Sequence, residues 1–105
     1  MKQQIDKFVT CIEQQRFFEA HEMLEEVWFP RRFEHNAEVQ LLKGFINAAV
    51  SFELHKRGRQ PQSKRVWANY LKYRQLLYKV KSPYLREYHA LARYIEEYNN
   101  SLKTH

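Results

Sequence analysis

In the stretch "FFEAHEMLEEVWFP", residues 17 to 30, the residues best placed to do chemistry together are His21, Glu22 and Glu25. A histidine changes charge near neutral pH and can pass protons. A carboxylate beside it can act as a base or hold the ring in one orientation. His21 and Glu25 are four residues apart, so on a helix their side chains reach each other. A histidine and a glutamate at that spacing can also share one metal ion, but "HEMLE" lacks the second histidine of the H-E-x-x-H zinc pattern. His35, His55, His89 and His105 have no ligand spacing with His21. No metal site and no cofactor is therefore expected. There is no glycine-rich phosphate loop, and neither Cys11 nor Ser51 has a base at a useful spacing. His21, Glu22 and Glu25 are the candidate catalytic residues.

A helical wheel at about 100° per residue gives these residues their setting. Glu25 and Trp28 flank His21, with Phe17, Leu24, Val27 and Ala20 on one side and Phe18 and Phe29 on the other. His21 and Glu25 thus fall inside the apolar face, with Glu22 at its edge. A buried carboxylate needs a partner. The third predicted helix offers one polar stripe for this, Lys43, Asn47 and Ser51 at i, i+4 and i+8. Lys43 would neutralise Glu25 or Glu22, Asn47 would bridge to His21, and Trp28 would lid the cluster. Trp28, Lys43 and Asn47 are the candidate binding residues. His55, on the small-residue side of the same helix and away from the Asn47 stripe, joins that set. The competing reading is a closed polar network that only fixes how two helices pair.

The elements that must position these residues are all helical. Ile5, Phe8, Val9 and Ile12 make one apolar face of a helix over residues 2–15. The second helix runs from Phe17 or Phe18 to Phe29, closed by Pro30. Asn36 is an N-cap for a third helix over 37–57, and Gly58 is its C-cap. That third helix is apolar on most of its circumference, which marks the central, buried element. Gly44, Ala48 and Ser51 give it a stripe where another helix can approach closely. "GRQPQS" reads as a linker, followed by a helix over 63–80 carrying Trp67, Tyr70, Leu71, Arg74, Leu77 and Tyr78. A fifth helix begins at "KSP", with Ser82 as N-cap and Pro83 in its first turn, and frays near Asn99. The expectation is a single all-α domain over 1–105, a compact array of about five helices around a buried central helix 37–57.

Composition agrees. With 44% hydrophobic and 29% charged residues, the chain is ordered and globular. Only two glycines and three prolines argue against a many-turned β fold. No apolar run is long enough to span a membrane, and the amino terminus has no signal-peptide pattern. A cytoplasmic location is the default, and the one cysteine, Cys11, suits a reducing compartment as a small core residue. The net charge of +6 is uneven. Residues 1–54 carry six basic and nine acidic side chains, residues 55–105 twelve and three. All seven phenylalanines lie in the first part and all seven tyrosines in the second.

"FFEAHEMLEEVW" followed by "LLKGFINAAVSFELHKRG" resembles one family, domain-of-unknown-function family 309. Phe18, Ala20, His21, Glu22, Leu24, Glu25 and Trp28 match its F-x-A-H-E-x-L-E-x-x-W helix. Leu42, Gly44, Ala48, Ala49 and Gly58 match a second helix, in which a frequent form has Gln at the positions of Lys43 and Asn47. The resemblance spans residues 17 to 60. It implies a compact helical array and a pocket around His21, Glu25, Trp28 and Asn47, with no established reaction.

Three functions compete. The first is a small-ligand pocket, binding or hydrolytic, between the second and third helices. The second is a basic, tyrosine-rich carboxy-terminal half that binds nucleic acid or an acidic partner through residues such as Lys56, Arg57, Lys64, Lys72 and Lys79. A solvated basic surface with inward-packed tyrosines is favoured over it. The third is a helical interaction protein that forms a homodimer.

Overall fold

Helix α3, Ala37–Lys56, is the axis of the molecule. Ten of its residues are buried, among them Leu41, Leu42, Phe45, Ala48, Ala49 and Phe52. A helix with apolar groups on nearly every side needs neighbours on nearly every side. They are supplied by α2, Phe17–Trp28, α4, Gln60–Arg74, and α5, Leu85–Leu102, while α1, Lys2–Glu13, packs on α2 and α5. The computed structural model describes residues 1–103, so His105 lies outside the described residues. Those residues contain five α-helices and no strand, as the spacing of apolar residues predicts. The most extensive packing joins α3 to α4 and α3 to α2, with α1 laid on α2. None of the helices is long and apolar enough to cross a membrane, among the described residues.

The ends of α3 follow their sequence signals. Asn36 Oδ1 accepts a hydrogen bond from Val39 N–H at 2.9 Å, which satisfies one of the free donors of the first turn. Gly58, at φ +76°, takes the left-handed position beyond the carboxyl end. The turn between α1 and α2 puts Gln15 in the same region, at φ 59°, and Lys56 Nζ donates to its carbonyl at 3.1 Å.

The α3–α4 contact uses the small residues. A β-carbon on Gly44 would lie 2.7 Å from Tyr73 Cβ, so only glycine lets the two backbones come this close. Two turns along, Ser51 and Ser63 are both buried and bonded across the same contact.

Several boundaries differ from those the sequence predicts. The chain after Trp28 does not stop at Pro30 but tightens into a 3₁₀ turn, Phe29–Arg31. Proline fits there because the first turn of a helix leaves its donors free. For the same reason α4 starts at Gln60, inside the expected linker, with Pro61 in its first turn. The fourth helix is α-helical only to Arg74 and continues as a 3₁₀ segment, Gln75–Lys79. Pro83 lies in a turn, where Ser82 Oγ accepts from Tyr84 N–H, and α5 begins two residues later. It runs past Asn99 to Leu102.

Two tyrosines of the basic half are core residues. Tyr70 and Tyr88 are fully buried, and their rings lie on Phe45 at centroid distances of 6.2 and 6.1 Å. Tyr78 stays in solvent, as does much of Leu71, although both fit the predicted face of the fourth helix.

Candidate functional site

His21 and Glu25 form the pair their spacing allows: Nε2 to Oε2 is 2.6 Å. The pair is not enclosed. The His21 side chain is 26% exposed and that of Glu25 42% exposed, so the wheel's placement of both inside a buried face is corrected. The reason is the width of the contact. α2 buries only Phe17, Ala20 and Leu24. Phe18 and Phe29, which made the apolar arc look wide, are 61% and 51% exposed.

The expected partners on α3 also lie elsewhere. The Gly44–Ser51 side of α3 packs against α4, which turns Lys43 and Asn47 toward that helix. Asn47 Nδ2 donates to Lys43 O of its own helix at 2.8 Å. Lys43 Nζ sits 5.9 Å from the centre of the Tyr73 ring and bonds to neither glutamate. Trp28 does not lid the pair. It lines a separate hollow with Arg32, Lys43, Lys72 and Tyr73. His55 lines a different hollow, with Ser63 and Trp67, and its Nδ1 is 3.0 Å from Gln60 Oε1. Glu22 is exposed and has no polar partner among the described residues.

The sequence-predicted cluster is therefore split. On one side, His21 borders an open hollow of about 310 Å³ with Phe17, Phe18, Val50 and Leu54 as apolar walls. Its far rim is the ion pair Arg57 Nε–Glu53 Oε1, at 2.9 Å. Glu22 and Glu25 border a second hollow with Phe29 and Pro30. Because Glu25 holds Nε2 of the imidazole, Nδ1 is left without a protein partner among the described residues. A carboxylate on one ring nitrogen fixes the ring and frees the other nitrogen to accept or deliver a proton. No serine, threonine or cysteine among the described residues lines the His21 hollow. No group of three or more potential metal ligands exists among the described residues.

The amino-terminal part of the chain carries the decisive likeness. Residues 5–66 match the family model described as Domain of unknown function (DUF309). The chain belongs to DUF309. The match begins in α1 and ends within α4, wider than the 17–60 stretch whose motifs suggest it. No curated relative and no solved structure matches this DUF309 chain.

Two polar clusters of this DUF309 protein were not visible in the spacing. Glu38 on α3 accepts from Tyr88 Oη at 2.6 Å and pairs with Arg31 Nη1 at 3.0 Å. Burial works against the charge on Glu38, but hydrogen bonds from Tyr88, Ser82 and Arg31 outweigh it and hold the carboxyl below its ordinary value. Glu96 on α5 accepts from both Tyr70 Oη and Arg74 Nε, each at 2.8 Å. Burial first, and the bond to a carboxylate second, push both tyrosine hydroxyls far above the usual range. Phenols this resistant to ionisation tie helices together as donors and are unsuited to act as bases. The partners are 26 and 50 residues apart in sequence, so no local spacing reveals them.

Proposed function

We propose that the protein binds a small, largely apolar ligand with one polar end in the hollow between α2 and α3, and that the His21–Glu25 pair recognises that end. The observation that carries this reading is the pair itself: formed and reachable from solvent, with its histidine opening on a largely apolar hollow. A network serving only to fix helix pairing would join α2 to α3, whereas this pair lies within one helix and leaves Lys43 and Asn47 out. Phe18, its ring centre 5.9 Å from that of His21, offers exposed apolar surface next to the polar group. Pockets that combine apolar walls with a few placed polar groups are the usual form of a small-molecule site.

The roles within the pair follow from its geometry. Glu25 orients, and the free Nδ1 of His21 meets the ligand. Across the hollow, Arg57 is already paired with Glu53, and the two give that side a polar rim without a free charge. A hydrolytic step here would use water directly as the nucleophile, because no serine, threonine or cysteine is among the described residues that line the hollow.

The test is a fragment screen by amide and side-chain NMR on the parent, His21→Gln and Glu25→Gln proteins. Binders that shift residues lining the hollow in the parent, and that weaken in both variants, support the proposal. Removing a half-exposed pair of this kind costs about 0–1 kcal/mol of stability. Loss of several kcal/mol, or a screen in which no compound shifts this hollow, would sink it.

A further inference from the structure

The hollow that took Trp28 and Lys43 away from His21 has a chemistry of its own. Its volume is about 360 Å³, and it lies where the end of α2, the start of α3 and the end of α4 meet. Three cations line it: Arg32, Lys43 and Lys72. Neither lysine has a carboxylate within ion-pair distance among the described residues. Both ammonium groups lie 5.9 Å from the centre of one ring, that of Tyr73. Arg32 is held in place by stacking over Phe29 at 3.6 Å and Phe33 at 4.5 Å, and by donating to Phe29 O at 2.6 Å. Among the described residues one carboxylate lines the hollow, Glu34, and it is already occupied by Arg31, with Nε to Oε2 at 3.2 Å, and by Asn36 Nδ2 at 3.2 Å.

Cations that outnumber the counter-charges around a concave surface repel each other, and an anion relieves that repulsion. Lysines serve as compact point charges for phosphate. A bare phosphate would leave much of this space empty and would not use the aromatic walls, Trp28 and Tyr73. A planar ring joined to a phosphate uses both, since nucleobases stack on aromatic side chains whatever their sequence. We propose that the hollow between Trp28, Lys43, Lys72 and Tyr73 binds a nucleotide, with the phosphate between the two lysines and the base against the aromatic wall. This site is separate from the His21 hollow and does not depend on the function proposed for it.

The test is an NMR titration of the labelled full chain with four probes: AMP, adenosine, inorganic phosphate and a short single-stranded oligoadenylate. AMP should give saturable shifts at the amides of Lys43, Lys72 and Tyr73 and at the Trp28 indole N–H. Adenosine and inorganic phosphate should each bind at least about tenfold more weakly, and the AMP affinity should fall as salt rises. The double variant Lys43→Gln/Lys72→Gln, with an unchanged circular dichroism spectrum, should lose about tenfold or more, while Lys79→Gln keeps the parent affinity. Oligoadenylate shifting the same residues alongside AMP means that a strand is read through the same nucleotide unit, which supports the proposal. It is overturned if AMP gives no saturable shift there or if inorganic phosphate binds as well as AMP. Binding of oligoadenylate without AMP, or an unaffected double variant, overturns it equally.

Discussion

Ser51 and Ser63 each donate a hydrogen bond to the other's backbone carbonyl, at 2.9 and 2.8 Å, with their hydroxyl oxygens 3.1 Å apart. This reciprocal clamp joins α3 to α4 through two buried side chains. Each single change to alanine is expected to cost about 1 kcal/mol, the typical net worth of one hydrogen bond. The double variant should cost less than the two singles together, because either loss already loosens the shared geometry. Urea unfolding of the four proteins gives the coupling, and strict additivity would show that the two bonds act independently.

Gly44→Ala sets two effects against each other. Alanine favours a helix over glycine by about 1 kcal/mol. Here its β-carbon would meet Tyr73 Cβ at 2.7 Å, an atom fixed to the backbone that cannot swing aside. Overpacking of this type costs about 1–3 kcal/mol, so the net change should be destabilising. A denaturation midpoint equal to or above the parent's would mean that α3 and α4 can part without penalty.

Tyr88→Phe removes the 2.6 Å donor to Glu38 and keeps the ring. A hydrogen bond to a charged acceptor is worth about 1.5–3 kcal/mol, and the loss should fall in that range. The pH dependence has a definite sign. The folded carboxyl of Glu38 is held below 4.5, so its contribution is complete above pH 4.5 and is lost as pH falls through the lowered folded value. Without Tyr88 Oη that acid-side loss should shrink. Unfolding of parent and variant at neutral and acid pH measures both effects, and equal acid-side losses would contradict the assignment.

At alkaline pH the tyrosines take over. Burial holds Tyr70, Tyr88, Tyr94 and Tyr98 in the protonated form beyond their ordinary value of 10.0, and Tyr94 is pushed up to about 12. The folded state then keeps protons that the unfolded chain gives up. Stability is full below pH 10.0 and declines as pH rises from there through about 12. Thermal midpoints across this window should drop steadily. A flat profile would show that these hydroxyls reach water in the folded protein.

The legible parts of the molecule were those encoded by near neighbours. The Asn36 cap, the left-handed Gly58, the buried circumference of α3 and its small-residue stripe all rest on spacings of a few residues, and each was found in place. The His21–Glu25 contact is of the same kind. What spacing could not supply was the rotation of α3 relative to α2. That rotation is set by the contact with α4 through Gly44 and Ser51, and it carries Lys43 and Asn47 away from His21. The Tyr88–Glu38 and Tyr70–Glu96 bonds were illegible for a related reason. Each joins residues brought together only by the whole chain's path.

Phe45 lies between Tyr70 and Tyr88. The family match ends at residue 66, yet both rings that close over Phe45, and the Glu96 carboxylate that secures one of them, come later in the chain. A fragment cut after the match would strip both of these rings from Phe45. The stretch that carries the family likeness thus draws part of its core from outside itself, from the end of α4 and from α5.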